Sequence, residues 1–413
     1  MSIAATITPL RHRDFRLFWL GQWVSQFGDN VFLVALNWTV WKLTGSGAAM
    51  ATVTLCSQVP SIGMLLVGGA LVDRFPRRRI SILSDVVRGV ALLAAGSLAL
   101  SGLLQLWHLY VIAVLLGLAS AFARPAFRAL TQALTPSGEG VAANGLIASG
   151  RTTAGIAGPA LGGLLMGFGG AASAFLFDGL SFFIAAAALL GASPQEPAVA
   201  RQGKALRIRT LVTDLAAALR ILSARPVLIL TIGVLSLIVV TGQAPIVILR
   251  PWVASQVGGG VHTLSVAYSL FAAGMFLTVT ALGSVSTRGH EGWLIYGGFL
   301  LSGLCQVGMA LAKAPWQMWS LDFLTGVSVM AYGVIWPALL QETVPPDAMG
   351  RVSAVDDFGS LILYPAGIVL TGILSTRPGA YWVLLGGGLL TMGIALIALV
   401  TLNGSLSASR RVE

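Results

Sequence analysis

The chain has 413 residues, of which 56% are hydrophobic and only 10% are charged. Because soluble domains carry about 25% charged residues, this composition excludes an ordinary soluble enzyme, a disordered chain and a nucleic-acid-binding domain. The net charge of +10 bears mainly on orientation, since Lys and Arg near the ends of membrane helices mark the cytoplasmic side. The composition indicates a polytopic helical membrane protein.

Apolar segments long enough to cross a bilayer, about 20 residues each, follow one another along the chain. The first six are predicted at about 16–41, 47–72, 80–102, 106–128, 142–167 and 171–193. Six more are predicted at about 225–250, 262–286, 292–313, 315–341, 352–376 and 380–403. We therefore expect an all-α membrane protein with twelve transmembrane helices in two pseudo-symmetric six-helix bundles.

The one long polar stretch lies between the two sets of helices. It divides the chain into an N-terminal bundle (1–193), a cytoplasmic linker (194–224) and a C-terminal bundle (225–413). Leucines at helical spacing in the second part of the linker predict an amphipathic helix on the membrane surface.

The basic residues are distributed unevenly between the two sides of the membrane. With an even number of helices, the side that holds both termini and the linker carries Arg11, Arg13, Arg16, Arg74, Arg77, Arg78, Arg79, Arg288, Arg351, Arg410 and Arg411. The other side carries only Lys42, Arg250, Lys313 and Arg377. This bias predicts that both termini are cytoplasmic and that the protein is multi-pass in a bacterial cytoplasmic (inner) membrane.

The loop after the second helix has Gly69, then Asp73 and Arg74, then a basic cluster that begins at Arg77. Gly69 permits close helix approach, and Asp73 at the membrane edge could interact with a neighbouring helix N-terminus. The loop resembles the signature loop of the major facilitator superfamily, although Pro76 stands where many members have Gly. The resemblance implies a transporter fold and a cytoplasmic gate that contains Asp73 and Arg77. The alternative is a solvated basic loop.

Other ionisable residues are predicted near the same membrane face. Asp85 and Arg88 lie three residues apart on one face of the third helix, Arg151 lies in the fifth, and Asp356 and Asp357 begin the eleventh. These groups could join the loop in one inner-gate network. A static ion-pair cluster is the other interpretation.

The fifth helix carries an ordered run of small residues around a proline, with Gly155, Gly158, Pro159, Gly162 and Gly163. Small residues let two helices pack closely, and the proline loosens the backbone ladder. The run is similar to the helix-5 motif of exporting members of the superfamily, especially drug:proton antiporters. The resemblance implies export in preference to uptake.

Two further stretches indicate which members of the superfamily the chain resembles. Residues 15–29 in the first helix and 175–182 in the sixth resemble the macrolide-efflux and enterobactin-exporter relatives. Members of that family export drugs, siderophores or related amphiphiles, and lysophospholipid transporters are more distant kin. The resemblance thus implies a secondary active exporter, a proton-coupled antiporter of a hydrophobic or amphiphilic small molecule.

The first helix carries a polar stripe at three-, four- and seven-residue steps, formed by Gln22, Gln26, Asp29, Asn30 and Asn37. A polar stripe in a spanning helix should face a cavity or another helix. Since an ionisable group at membrane depth is costly unless it is paired or hydrated, Asp29 is the leading candidate for proton coupling. A structural, hydrogen-bonded role in helix packing is the alternative.

Four more residues of the predicted helices are candidates for the cavity. Asp178 and Asp322 lie one to two turns from the outer ends of the sixth and tenth helices, where they could take part in transport or be hydrated at the interface. Tyr332 and Trp336 in the tenth helix could line an apolar binding cavity, although aromatic residues in membrane helices more often serve packing.

The sequence contains no phosphate-binding loop, no metal-ligand spacing and no nucleophile elbow. We therefore expect a non-enzyme without cofactor or metal. Its expected partners are a small amphiphilic substrate, protons and the lipid bilayer, with no nucleic acid, and the chain is expected to be a monomer. The alternatives are a lipid transporter of the same fold and, with less support, a non-transporting membrane sensor or enzyme.

Overall fold

The computed structural model describes residues 7–72, 76–193, 226–283, 285, 287–344 and 346–408. The predicted linker falls almost entirely outside these residues, so its amphipathic helix stays a prediction.

A 3₁₀ turn, Thr8–Arg11, precedes the first long helix. The helices of the first part of the chain are α1 (Arg13–Thr44), α2 (Gly47–Val72), α3 (Arg77–Leu100), α4 (Leu106–Leu134) and α5 (Gly140–Gly191). The 52-residue α5 contains the predicted fifth and sixth helices, which meet at Gly170 with φ 63°. Glycine tolerates this left-handed backbone, so the chain breaks where the two predicted segments are separated.

The later helices are α6 (Pro226–Ile238), α7 (Ala244–Val257), α8 (Gly260–Gly283), α9 (Glu291–Leu311), α10 (Pro315–Thr343), α11 (Pro346–Leu374) and α12 (Ala380–Ala408). A π-helical segment, Val239–Gln243, joins α6 to α7, and a second, Ser375–Gly379, joins α11 to α12. The predicted seventh helix is thus α6 and α7 with a wider turn between them.

All twelve predicted segments correspond to described helices. Eight helices are long and apolar enough to cross a membrane among the residues that the structure describes, and Leu363–Leu374 is a shorter apolar stretch. Many of their large apolar side chains are exposed, as expected for helices that face hydrocarbon.

The described residues fall into two compact units. The first lies within Met1–Gly45, Thr52–Ala205 and Leu264–Ser269, and the second within Ser46–Ala51, Leu206–Thr263 and Leu270–Glu413. In the first unit, α5 packs against α1 and α3, and α3 packs against α4. In the second, α9 packs against α12 and α10.

Candidate functional site

The first unit contains a cavity of about 340 Å³ among α1, α2, α3, α4 and the second part of α5. Its wall combines four charged side chains with two phenylalanines and several polar groups. The lining includes Asp29, Phe32, Ser57, Gln58, Ser61, Arg88, Arg124, Asp178 and Phe182. Charged groups at this depth are rare in membrane helices and mark functional sites.

Asp29 lies on the polar stripe of α1, and its side chain is exposed within the unit. It shares the cavity wall with Arg124 of α4, which is also exposed. Because the carboxylate of Asp29 opens to the cavity, water or a ligand can reach it without disturbing helix packing.

Asp178 of α5 also lines the cavity and is fully buried. The hydroxyl of Ser181, one turn further along α5, donates to Asp178 Oδ1 at 3.0 Å. Asp178 Oδ2 has no hydrogen-bond partner within the part of the chain that is described. A buried carboxylate oxygen without a donor is costly, and full burial excludes a position hydrated at the membrane interface.

Asp85 and Arg88 of α3 form an ion pair across one helical turn. The Asp85 side chain is 1% exposed and that of Arg88 is 13% exposed. The Arg88 guanidinium also lies over the ring of Phe182, 4.2 Å from its centroid, which is a favourable cation–π distance. Arg88 is therefore held at the cavity wall by a carboxylate on its own helix and an aromatic ring of α5.

Close helix packing forms this site. A side chain at Gly28 would overlap Asp178 Oδ1 and Ser181 Oγ, and one at Gly117 would overlap the carbonyl oxygen of Ser57. These glycines thus let α1 approach α5 and let α4 approach α2.

The glycine-proline run of α5 packs on α1. A Cβ at Gly158 would lie 2.6 Å from Asn30 Cβ, and one at Gly162 would lie 3.1 Å from the carbonyl oxygen of Val31. Pro159 and Gly163 are buried next to them, and Gly155 is half-buried. The run serves close packing of α5 against α1.

The other members of the α1 stripe are spread over several environments. Gln22 and Gln26 line a narrow cleft with Trp19 and Trp23, and Asn30 Nδ2 donates to the Gln26 carbonyl oxygen at 2.7 Å. The buried Asn37 Nδ2 donates to Tyr268 Oη at 2.8 Å. Of the five predicted stripe residues, only Asp29 lines the charged cavity.

The predicted gate is described only in part. Asp73 and Arg74 lie outside the described residues, as do the surroundings of Gly69 and the side chain of Asp357. Arg77 is half-buried and Arg151 is exposed. The described residues show no ion pair between Arg151 and Asp85, whose partner is Arg88. The inner-gate network stays a prediction.

Arg78, treated above as part of the basic loop, interacts with the end of α5. Its Nε donates to the Leu189 carbonyl oxygen at 2.9 Å, and its Nη2 donates to that of Leu190 at 2.5 Å. A cation that binds the last carbonyls of a helix stabilises its C-terminus. Arg79 is exposed.

The second unit has its own buried ion pair. Arg250 of α7 donates from Nε to Asp322 Oδ1 of α10 at 2.9 Å, and its Nη2 lies 2.8 Å from the same oxygen. Both side chains are at most 5% exposed, and the guanidinium lies 4.5 Å from the centroid of the Phe271 ring. This burial excludes the alternative in which Asp322 is hydrated at the interface, and it shows that Arg250, counted above among the cations of the outer side, is enclosed between helices.

Tyr332 and Trp336 belong to packed regions of the second unit. Trp336 is 1% exposed in a core cluster, and its Nε1 donates to Asp356 Oδ2 at 2.9 Å. Tyr332 is half-buried against Phe299, with ring centroids 5.5 Å apart. Trp336 therefore packs in the core and does not line a cavity.

Bundled apolar helices with a charged internal cavity are typical of helical membrane transporters. The model of the Major Facilitator Superfamily matches residues 18–362. The chain belongs to this family, whose members are transporters and not enzymes, and it has the twelve-helix fold of the family.

Curated relatives match over almost the whole chain. An uncharacterized MFS-type transporter, YfiS of Bacillus subtilis, is 26% identical over 94% of this chain and 93% of its own length. Macrolide efflux protein A of Streptococcus pyogenes is 24% identical over 91% and 93%. The multidrug efflux pump Tap of Mycobacterium tuberculosis is 26% identical over 90% and 89%.

Solved structures share the fold. A bacterial homologue of the human lysosomal transporter Spinster, in an inward-facing and unoccupied conformation, superposes with a TM-score of 0.69 at 16% identity, covering 98% of both chains. A variant of the nucleoside transporter NupG gives 0.72 at 11% identity, covering 95% of this chain and 99% of that one.

Proposed function

We propose that this protein is a secondary active exporter that moves a hydrophobic or amphiphilic small molecule out of the cell in exchange for protons. The relatives named as macrolide and multidrug efflux proteins support export of such a molecule. The observation that carries the coupling proposal is the position of Asp29, a carboxylate exposed within a cavity that also contains Asp178, Arg88 and Arg124.

Asp29 is the proposed site of proton exchange, because its carboxylate is exposed to the cavity and its charge interacts directly with whatever occupies the cavity. Arg88 is already neutralised by Asp85. Asp178 is buried against α1 at Gly28, so it is less accessible from the cavity than Asp29. The half-buried Phe32 supplies apolar surface for a substrate, whereas the ring of Phe182 is covered by Arg88.

In the proposed cycle, the substrate enters from the cytoplasm or the inner leaflet while Asp29 is ionised. The two bundles then rearrange, so that the cavity closes to the inside and opens to the outside of the membrane. A proton from outside binds Asp29 and favours release of the substrate, and the proton leaves inward on the return step. The loop around Asp73 and Arg77 is the proposed inner gate. The protein is proposed to act as a monomer in a bacterial cytoplasmic membrane with both termini inside.

The test uses everted bacterial membrane vesicles that contain the protein in their membrane. A fluorescent amphiphilic dye is added to the solution outside the vesicles. We expect uptake of the dye into the vesicles when a proton gradient, acidic inside, is established, and loss of that uptake when nigericin removes the gradient. Dye uptake that persists without the gradient would contradict proton coupling. Movement of a labelled lysophospholipid without movement of any dye would instead favour the lipid-transporter alternative.

A further inference from the structure

The second unit has a lateral groove of about 200 Å³ where α11 and α12 meet the π-helical segment and the start of α7. Val240, Thr241 and Pro245 line it from the π-helical segment and α7, and Leu370 and Leu374 line it from α11. The groove is distinct from the charged cavity of the first unit and shares no residue with it.

The groove opens to the outside of the unit through apolar side chains. Leu370, Leu374, Trp382 and Leu390 line it, and each is at least 40% exposed. Further along α12, large apolar side chains such as Ile397 and Val400 are also exposed. A helix that presents such residues along its length faces hydrocarbon in a bilayer.

The lining of the groove favours an uncharged, apolar ligand such as a hydrocarbon chain. None of the residues that line the groove is charged. The hydroxyl of Thr241 is already bonded, to the Leu237 carbonyl oxygen at 3.1 Å and to the Thr391 hydroxyl at 2.8 Å. Thr371, the other polar side chain of the lining, is only 2% exposed, so water or a polar ligand would find few partners that compensate for its desolvation. An unfilled groove of this size would also lose packing contacts along its walls.

The groove has one end near the membrane surface. Trp382 stands three residues after the Ser375–Gly379 segment that joins α11 to α12. An indole at the end of a spanning helix typically marks the interface with the headgroups. From Trp382 to Leu390 the groove follows α12 for about 12 Å at 1.5 Å per residue.

We propose that the groove is a binding site for one acyl chain of a membrane phospholipid, whose headgroup lies at the level of Trp382. The chain rests on Val240, Thr241 and Pro245, where the helical hydrogen-bonding pattern of α6 changes before α7 begins. Since π-helical turns occur frequently at functional sites, the bound chain is positioned to restrain this joint.

The glycines of α12 provide a matched pair of variants. A Cβ at Gly386, which lines the groove, would meet no heavy atom within 4 Å, and the same is true of Gly393 two turns along the helix, which does not line it. Gly386→Leu therefore fills the groove without a backbone clash. Gly393→Leu adds the same side chain elsewhere.

The experiment reconstitutes the full chain in vesicles of phosphatidylethanolamine and phosphatidylglycerol that contain a trace of phosphatidylcholine with a diazirine on one acyl chain. After illumination, labelled residues are located by mass spectrometry. Leu324, an exposed residue nine positions into α10, serves as the comparison for ordinary lipid contact. We expect about fivefold more label in the groove than at Leu324, a preference of about 1 kcal/mol.

The label in the groove should fall to the level at Leu324 in Gly386→Leu and stay unchanged in Gly393→Leu. Should Gly386→Leu not fold, Gly386→Val is expected to lower the label in the same way. Equal labelling of the groove and Leu324, or an undiminished label in the filled variant, would overturn the proposal. Displacement of the label by a transported amphiphilic dye would also overturn it, because the groove would then be a substrate site.

Discussion

Gly28 of α1 faces the Asp178 carboxylate and the Ser181 hydroxyl so closely that a Cβ at residue 28 would overlap both. The Asp178 carboxylate is therefore buried against the backbone of α1 at the residue that directly precedes the cavity-facing Asp29. The two carboxylates differ in accessibility because one is enclosed by helix packing and the other is not.

Gly28→Ala should destabilise the protein by about 1–3 kcal/mol, because the added methyl group must displace α1 or the hydrogen-bonded Asp178–Ser181 pair. Thermal unfolding in detergent measures the change. Gly63→Ala is the matched control, since a Cβ at Gly63 of α2 meets no heavy atom within 4 Å. Equal unfolding temperatures for the two variants would contradict the close contact.

The ion pair between Arg250 and Asp322 should behave as a buried unit. Arg250→Met or Asp322→Leu alone should cost about 3–5 kcal/mol, because each leaves an uncompensated charge in an apolar surrounding. The double variant should regain most of the loss, and unfolding of all four proteins completes the cycle. Additive losses in the double variant would mean that the two side chains act separately.

Arg78 and Arg79 should differ although they are neighbours in one basic cluster. Arg78→Gln removes two charge-assisted hydrogen bonds to the end of α5, so we expect a loss of about 1–3 kcal/mol in the free energy of unfolding. Arg79→Gln should change it little, since Arg79 is exposed. An equal loss of stability in both variants would contradict this prediction. The loss would then come from the removal of a positive charge and not from the hydrogen bonds of Arg78.

Helix positions follow closely from the sequence because membrane helices need long apolar runs and loops need breaks. The second helix, predicted at 47–72, is found as Gly47–Val72, and the break between the fifth and sixth segments falls at Gly170. The π-helical joint before α7 was not predicted, since nothing in hydropathy distinguishes a π-helical turn from an α-helical one.

The sequence identified individual residues of the candidate site but not which of them lie together. Asp29 and Asp178 stand out as carboxylates in apolar segments, but their placement on one cavity depends on tertiary packing at Gly28. The sequence put Arg250 at a helix end, whereas α7 continues to Val257 and the partner of Arg250, Asp322, is 72 residues away. A buried arginine in an apolar run requires a carboxylate, and that requirement was the available signal.

The most direct test of the proposed coupling measures proton movement driven by substrate. Purified protein is reconstituted in liposomes that contain a pH-sensitive dye, an amphiphilic drug is added, and wild type is compared with Asp29→Asn and with Asp14→Asn, a control in the first turn of α1. We predict substrate-driven proton flux in wild type and Asp14→Asn, and none in Asp29→Asn. Undiminished flux in Asp29→Asn would contradict the assignment of proton exchange to Asp29.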